Sequence, residues 1–138
     1  MEIRIYDSLP LAAAGIREKV FMEEQGFKDE FDEYENSAKH FLGYIDGEAV
    51  GTSRVHFAPE YDNYKIGRIA VLKEYRGRHI GEKMVAAAEE WLKSRGEEKA
   101  VILAQEQAVG FYEKLGYIKT DHKTMEEHCP HILMTKSL

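Results

Sequence analysis

One cysteine, three prolines and one tryptophan stand among the 138 residues. Each scarcity excludes something. With Cys129 alone, no internal disulfide can form, and a reducing compartment suits the chain. No proline- or glycine-rich tract supplies a linker, so one domain over residues 1–138 is expected, of a size that buries about two-thirds of its unfolded surface. No apolar run approaches the roughly 20 residues that span a bilayer, and the opening "MEIRIYDSLP" lacks a signal peptide's basic and apolar regions. Positive charge is short as well. The formal net charge is −6, the wrong sign for a general nucleic-acid binder. The expectation is a soluble, cytoplasmic protein with neither nucleic acid nor membrane as partner. At 43% hydrophobic and 32% charged residues, it has the composition of an ordinary globular domain.

What is present has clear periodicity. "EIRIYD" alternates Ile3 and Ile5 with polar residues, as a half-buried strand does. "SLPLAAAGIREKVFMEEQG" predicts a helix with Pro10 in its first turn, Ala12, Ile16 and Val20 at four-residue steps, and Gly26 as its stop. "FKDEFDEYENSA" is dense in acidic and aromatic residues and predicts a loop or a short, loosely held helix. Asp46-Gly47 between two apolar runs marks a two-residue hairpin turn. In "YKIGRIAVL" Ile66 and Ile69 are out of phase, and a bulge beside Gly67 would restore the alternation. Residues 81–95 carry an apolar stripe of Met84, Val85, Ala88, Trp91 and Leu92 on a helix that Gly96 ends. "AVILA" at 100–104 predicts a strand buried on both faces. Ala108, Phe111, Tyr112 and Leu115 mark a short helix before Gly116. "YIKT" and "HILMTK" predict a closing pair of strands around a polar loop at 121–130. The helix at 81–95 joins two apolar strands, so it makes a parallel crossover in an otherwise antiparallel sheet. The expected fold is α/β, a mixed, mostly antiparallel twisted sheet with helices on both faces.

The handover from strand to that helix is "RGRHIG", Arg76 to Gly81. A helix start offers unpaired N–H groups and a partial positive charge, so anions settle there. Glycines allow close backbone approach, and Arg76 and Arg78 supply charge-assisted bonds to phosphate oxygens. The spacing fits neither a Walker loop nor a dinucleotide-binding glycine turn. From the residues alone, a phosphate site and a merely exposed basic turn both stay open.

The stretch "RIAVLKEYRGRHIGEKM" followed by "ILAQEQAVGFYEKLGY" resembles the GNAT superfamily of N-acetyltransferases. "REKVFMEEQGF" and the ending "PHILMTKSL" are similar to small bacterial members of the ElaA and YjcF type, and the ending also resembles glyphosate N-acetyltransferase. In that family an Arg/Gln-x-x-Gly-x-Gly/Ala turn binds the pyrophosphate of acetyl-coenzyme A. Carried over, Arg76, Gly77, Arg78, His79, Ile80 and Gly81 form that turn, and Ile69, Ala70 and Val71 offer main-chain groups to the pantetheine arm. His79 stands where the family usually has its first glycine. Tyr112 matches the tyrosine beside the thioester sulfur, where it would act as acid and touch the cofactor. Of the six histidines, His131 resembles the catalytic histidine of the "PHILM" ending. Arg17, Glu24 and Gln25 match the family's "R…EQ" pattern and would line the acceptor pocket or brace its loop; Gln105 would orient substrate.

The resemblance implies transfer of an acetyl group from acetyl-coenzyme A directly to a primary amine of a small molecule or peptide, without covalent enzyme intermediate and without metal. A lysine-like amine must first lose a proton at neutral pH, which costs roughly 4–5 kcal/mol, and the departing thiolate gains from a donor. The acidic stretch from Glu23 to Glu35 is expected to be chiefly solvated surface, or else to attract a cationic acceptor. His122, His128, Cys129 and His131 are spaced awkwardly for zinc. A coenzyme A-binding sensor without turnover is the alternative on the same fold, and monomer and homodimer are both open.

Overall fold

The computed structural model describes residues 1–138. The strands are β1 (Glu2–Tyr6), β2 (Lys39–Ile45), β3 (Glu48–Ala58), β4 (Asn63–Val71), β5 (Lys99–Gln105), β6 (Ile118–Glu126) and β7 (Cys129–Ser137); the α-helices are α1 (Leu11–Arg17), α2 (Ile80–Ser94) and α3 (Val109–Lys114). The strands form one seven-stranded sheet in the order β1-β2-β3-β4-β5-β7-β6. Every neighbouring pair is antiparallel except β4 and β5. This is the expected mixed sheet with one parallel crossover.

Helices cover both faces. Phe41 packs in the cluster built around α2, with Met84, Val85, Ala88 and Leu92, whereas its neighbour Leu42 packs with Ala13, Ile16, Val20 and Phe21. Successive strand residues point to opposite faces, so α1 and α2 lie on opposite sides. The buried α1 position is Ala13 rather than Ala12, which is exposed. Pro10 lies one step before the helix, as its N-cap.

Asp46 and Gly47 both take positive φ, at 51° and 81°, and Ile45 pairs with Glu48 across them, which is the two-residue hairpin expected. The β4 bulge is also present. Thr52 pairs with Ala70 and Arg54 with Gly67, so β4 places Arg68 and Ile69 opposite Ser53 alone. Ile66 and Ile69 consequently meet the same cluster around α2, while Ala70 turns to the α1 side. At the other edge the sequence expectation needs correction. Residues 121–130 are not a polar loop: β6 runs on to Glu126 and β7 starts at Cys129, leaving a tight turn with Glu127 at φ 55°. Polar side chains hid the strand because β6 is an edge with mostly exposed residues.

The first helix differs as well. After Arg17 the chain continues as a π-helix over Glu18–Glu24, with the Gln25 amide donating to the Val20 carbonyl at 3.2 Å. Gly26, at φ 79°, ends it as expected. Such wide turns are rare and often lie at functional sites.

Candidate active site

The parallel ladder of β4 and β5 holds a single pair, Lys65 with Val101. Beyond it the two strands part, and a cavity of about 1050 Å³ opens between them. Its walls come from Ile66–Val71 of β4, Ile102, Leu103 and Gln105 of β5, the end of the π-helix, the loop after it, and the turn before α2.

At the turn, Gly77 sits at φ 83° and His79 at φ 61°. Glycine takes that conformation freely, and His79 pays for it with about 1–2 kcal/mol of steric strain. No side chain caps α2, so its first amides stay unpaired and face an open space lined by Gly77, His79, Ile80 and Gly81. Gly81 has a packing reason too: an added Cβ would meet the Phe111 ring at 3.3 Å. Arg76 lines the cavity, yet its guanidinium pairs with Glu24 at 2.9 Å and donates to the Val71 carbonyl at 3.1 Å. Arg78 stands outside the lining with its guanidinium 5.4 Å from the Tyr75 ring centre. His79 is exposed and lies 3.3 Å from Glu82.

Tyr112 and His131 line the cavity from α3 and β7. Tyr112 is only 8% exposed, and burial alone pushes its phenol well above the ordinary tyrosine range. It therefore keeps its proton at any working pH. The His131 Nδ1 lies 3.0 Å from the Cys129 carbonyl. A carbonyl can only accept, so Nδ1 carries the proton and Nε2 keeps its lone pair in the neutral ring. Gln105 donates to Gln25 at 2.8 Å, and Gln107 donates to Gln105 at 2.6 Å; this amide chain ties the end of the π-helix to the end of β5.

Arg17 and Glu24 are absent from the lining. Arg17 is 1% exposed and braces the acidic loop: its Nε bonds Glu30 at 2.8 Å and its Nη2 bonds Glu35 at 2.6 Å. Arg54 holds Asp32 at 2.7 Å and Glu35 at 3.2 Å, and Arg68 holds Glu30 at 2.9 Å. Within the stretch expected as solvated surface or a loosely held helix, Glu23, Glu24, Asp29 and Glu33 are exposed, whereas Glu30, Asp32 and Glu35 join an ion network with the arginines, and Asp32 and Glu35 form a capping box on the short 3₁₀ turn Glu33–Asn36. Burial would raise the Asp32 and Glu35 carboxyls, but the arginines outweigh it and hold both below their ordinary range. For Glu30 burial wins, and its carboxyl lies above that range.

The β6–β7 turn completes the wall. The Glu127 carboxylate accepts from the Lys28 and Asp29 amides at 2.9 and 3.0 Å, and His128 packs at a tilt against Phe27 with ring centres 4.9 Å apart. His122 packs against Tyr61 instead, apart from His128 and His131, which both neighbour Phe27, and the structure contains no cluster of three or more metal-ligating side chains. Sequence reasoning missed Lys65, Arg68 and Glu126 as cavity residues; alternation from Ile66 and the bulge could have placed the first two.

The Acetyltransferase (GNAT) family model matches residues 7–117. The chain belongs to the GNAT acetyltransferase family. Membership places it among the acetyl-coenzyme A-dependent N-acetyltransferases. It is 34% identical over 124 residues to the uncharacterized N-acetyltransferase YjcF of Bacillus subtilis, covering 88% of this chain and 87% of that protein. The crystal structure of Escherichia coli ElaA shares the fold with a TM-score of 0.84 at 23% identity, over 98% of each chain. A GNAT acetyltransferase from Elizabethkingia anophelis, solved with acetyl-coenzyme A bound, superposes with a TM-score of 0.73 at 20% identity, over 99% of this chain and 98% of that one. No helix here is long and apolar enough to cross a membrane.

Proposed function

We propose that the protein transfers the acetyl group of acetyl-coenzyme A directly to a primary amine of a small molecule or peptide. The observation that carries this reading is the meeting, in one cavity, of the uncapped α2 start with Tyr112 and His131. The pyrophosphate lies against the amides of residues 77–81, where several donors and the helix charge converge. The pantetheine arm runs back along Val71, Ala70 and Ile69 and pairs with the main chain that β5 leaves free. Arg76 reaches phosphate by exchanging Glu24 for it. Arg78 contributes mainly through its backbone, since its side chain rests on Tyr75.

Catalysis follows from the same placement. His131 Nε2 accepts the proton of the attacking ammonium, directly or through a water. The neutral nitrogen then bonds to the thioester carbon, the carbon–sulfur bond breaks with its electron pair on sulfur, and the surplus proton on nitrogen passes to that sulfur, leaving the amide and free coenzyme A. Tyr112 is less acidic than a thiol, whose ordinary pKa is about 8.5. It therefore serves by donating a hydrogen bond to the developing thiolate rather than by giving its proton away outright. Gln25 and Gln105 position the acceptor. Asp29 and Glu126 line the same wall without an arginine partner, and favour an acceptor that carries positive charge. The buried, single thiol of Cys129 suits a reducing compartment such as the cytoplasm.

The test is steady-state release of free coenzyme A thiol with purified protein, acetyl-coenzyme A and a panel of mono- and polycationic amines. Turnover with a cationic amine supports the reading. Tight coenzyme A binding with no turnover on any amine would leave a sensor instead.

A further inference from the structure

Lys65 stands at the fork where β4 and β5 separate, and its side chain lines the cavity. Its Cε lies 3.9 Å from where a Gly67 Cβ would be, so the chain extends along β4 toward the bulge. Lys39, Lys93 and Lys136 pair with Asp7, Glu90 and Glu89. Lys65 has no ion pair or side-chain hydrogen bond at all. Of the carboxylates around the cavity, Glu30 and Asp32 are engaged by arginines and Glu127 by two backbone amides; Asp29 and Glu126 also line it, and neither forms an ion pair with Lys65. Burial pushes its ammonium below the ordinary lysine range, and Arg54 and Arg68 push the same way, against weaker pulls from Glu60 and Glu126. A larger share of Lys65 is therefore the neutral, nucleophilic amine than for a solvated lysine.

The direction of the cofactor supplies the electrophile. With the pyrophosphate at the α2 start and the pantetheine arm passing Val71 to Ile69, the thioester arrives at the bulge, next to Gly67. Strand residues advance about 3.3 Å each, so this point is within a lysine side chain's reach of Lys65. This step rests on the proposed acetyl-coenzyme A site.

We propose that Lys65 is a site of self-acetylation, modified in the cavity whenever acetyl-coenzyme A is bound and no external amine is present. Lys65 Nζ bonds to the thioester carbonyl carbon, the carbon–sulfur bond breaks, and the electron pair leaves on sulfur. The proton lost from nitrogen ends on that sulfur. The products are Nε-acetyl-lysine at Lys65 and free coenzyme A. The modified side chain has lost its charge and fills the acceptor end, so external amines and Lys65 compete for the same acetyl group.

The experiment is incubation of the full chain with acetyl-coenzyme A alone, followed by intact mass and peptide mapping, with coenzyme A affinity measured in parallel by calorimetry. One acetyl group is expected, on Lys65. It should form at least about tenfold faster than on any other lysine, because only Lys65 is held beside the bound thioester. Urea-unfolded chain should lose that preference. Lys65→Arg and Lys65→Gln should both abolish the fast modification while binding coenzyme A as wild type does. Intact coenzyme A binding with no acetyl on Lys65, or with acetyl spread evenly over exposed lysines, overturns the inference and spares the proposed function. Absence of coenzyme A binding overturns both.

Discussion

The turn before α2 and the wall opposite it enclose one cavity with different materials. The turn works through main chain: amides of residues 77–81 that donate to no group of the protein, with Arg76 and Arg78 as exposed additions. The opposite wall works through buried side chains: Arg17, Arg54 and Arg68 locked onto Glu30, Asp32 and Glu35 across long stretches of sequence. The first arrangement tolerates side-chain change and depends on backbone conformation. The second depends on every partner, because a buried charge stripped of its counter-charge is costly. An anion that is the same in every reaction cycle suits the former, and a shaped wall that presents an acceptor suits the latter.

Arg17→Ala breaks the comparison hardest. It leaves Glu30 and Glu35 short of a cation and should cost about 3–5 kcal/mol, read as a lower urea midpoint. A loss below about 1 kcal/mol would mean that the wall is surface after all.

His131→Ala should lower kcat by roughly 10²-fold with coenzyme A affinity unchanged, the size expected for loss of a positioned proton acceptor. Undiminished turnover would remove it as the base. Arg76→Ala should weaken coenzyme A binding about tenfold or more, as one charge-assisted hydrogen bond to an ion is worth roughly 1.5–3 kcal/mol; Arg78→Ala should weaken it less. Neither should move stability beyond about 0.5 kcal/mol, as for most surface changes. Calorimetry and thermal melts separate the two effects.

Acid should loosen the wall before the turn. Asp32 and Glu35 have folded-state pKa values below their unfolded ones, so their contribution is complete above about pH 5 and is lost as pH falls below about 4. Glu30, shifted upward, acts with the opposite sign and offsets part of this loss. Fluorescence-detected unfolding across pH 3–6 (on an order-of-magnitude ionic strength of about 0.1 M) should show stability falling at the acid end, and less so in Asp32→Asn. The smallest effect belongs to His79→Gly, which removes the left-handed strain but frees the unfolded chain; stability should change by no more than about 1 kcal/mol, with coenzyme A affinity retained. A large loss of affinity would give the imidazole a direct part in binding.

The same contrast explains what could be read from the sequence. The hairpin at Asp46-Gly47, the bulge beside Gly67, the stripe of α2 and the turn at Arg76–Gly81 follow from local rules, and the structure carries all four. The ion network does not. Arg17 and Glu35 are 18 residues apart and Arg54 and Asp32 are 22 apart, and a run of acids looks like solvated surface until its arginines are known. The switch from α to π geometry at Glu18 likewise left no signal in the four-residue spacing that predicted the helix. Lys65 lay open to inference, since alternation from Ile66 sets it on the other face, but its lack of a partner is a property of the folded wall alone.

The most direct test of the α2 turn as anion holder is a crystal structure of the protein with acetyl-coenzyme A. The account predicts pyrophosphate oxygens about 3 Å from the amides of residues 77–81, with the thioester at the bulge between Tyr112 and His131. A pyrophosphate held anywhere else, with those amides still facing water, would contradict it.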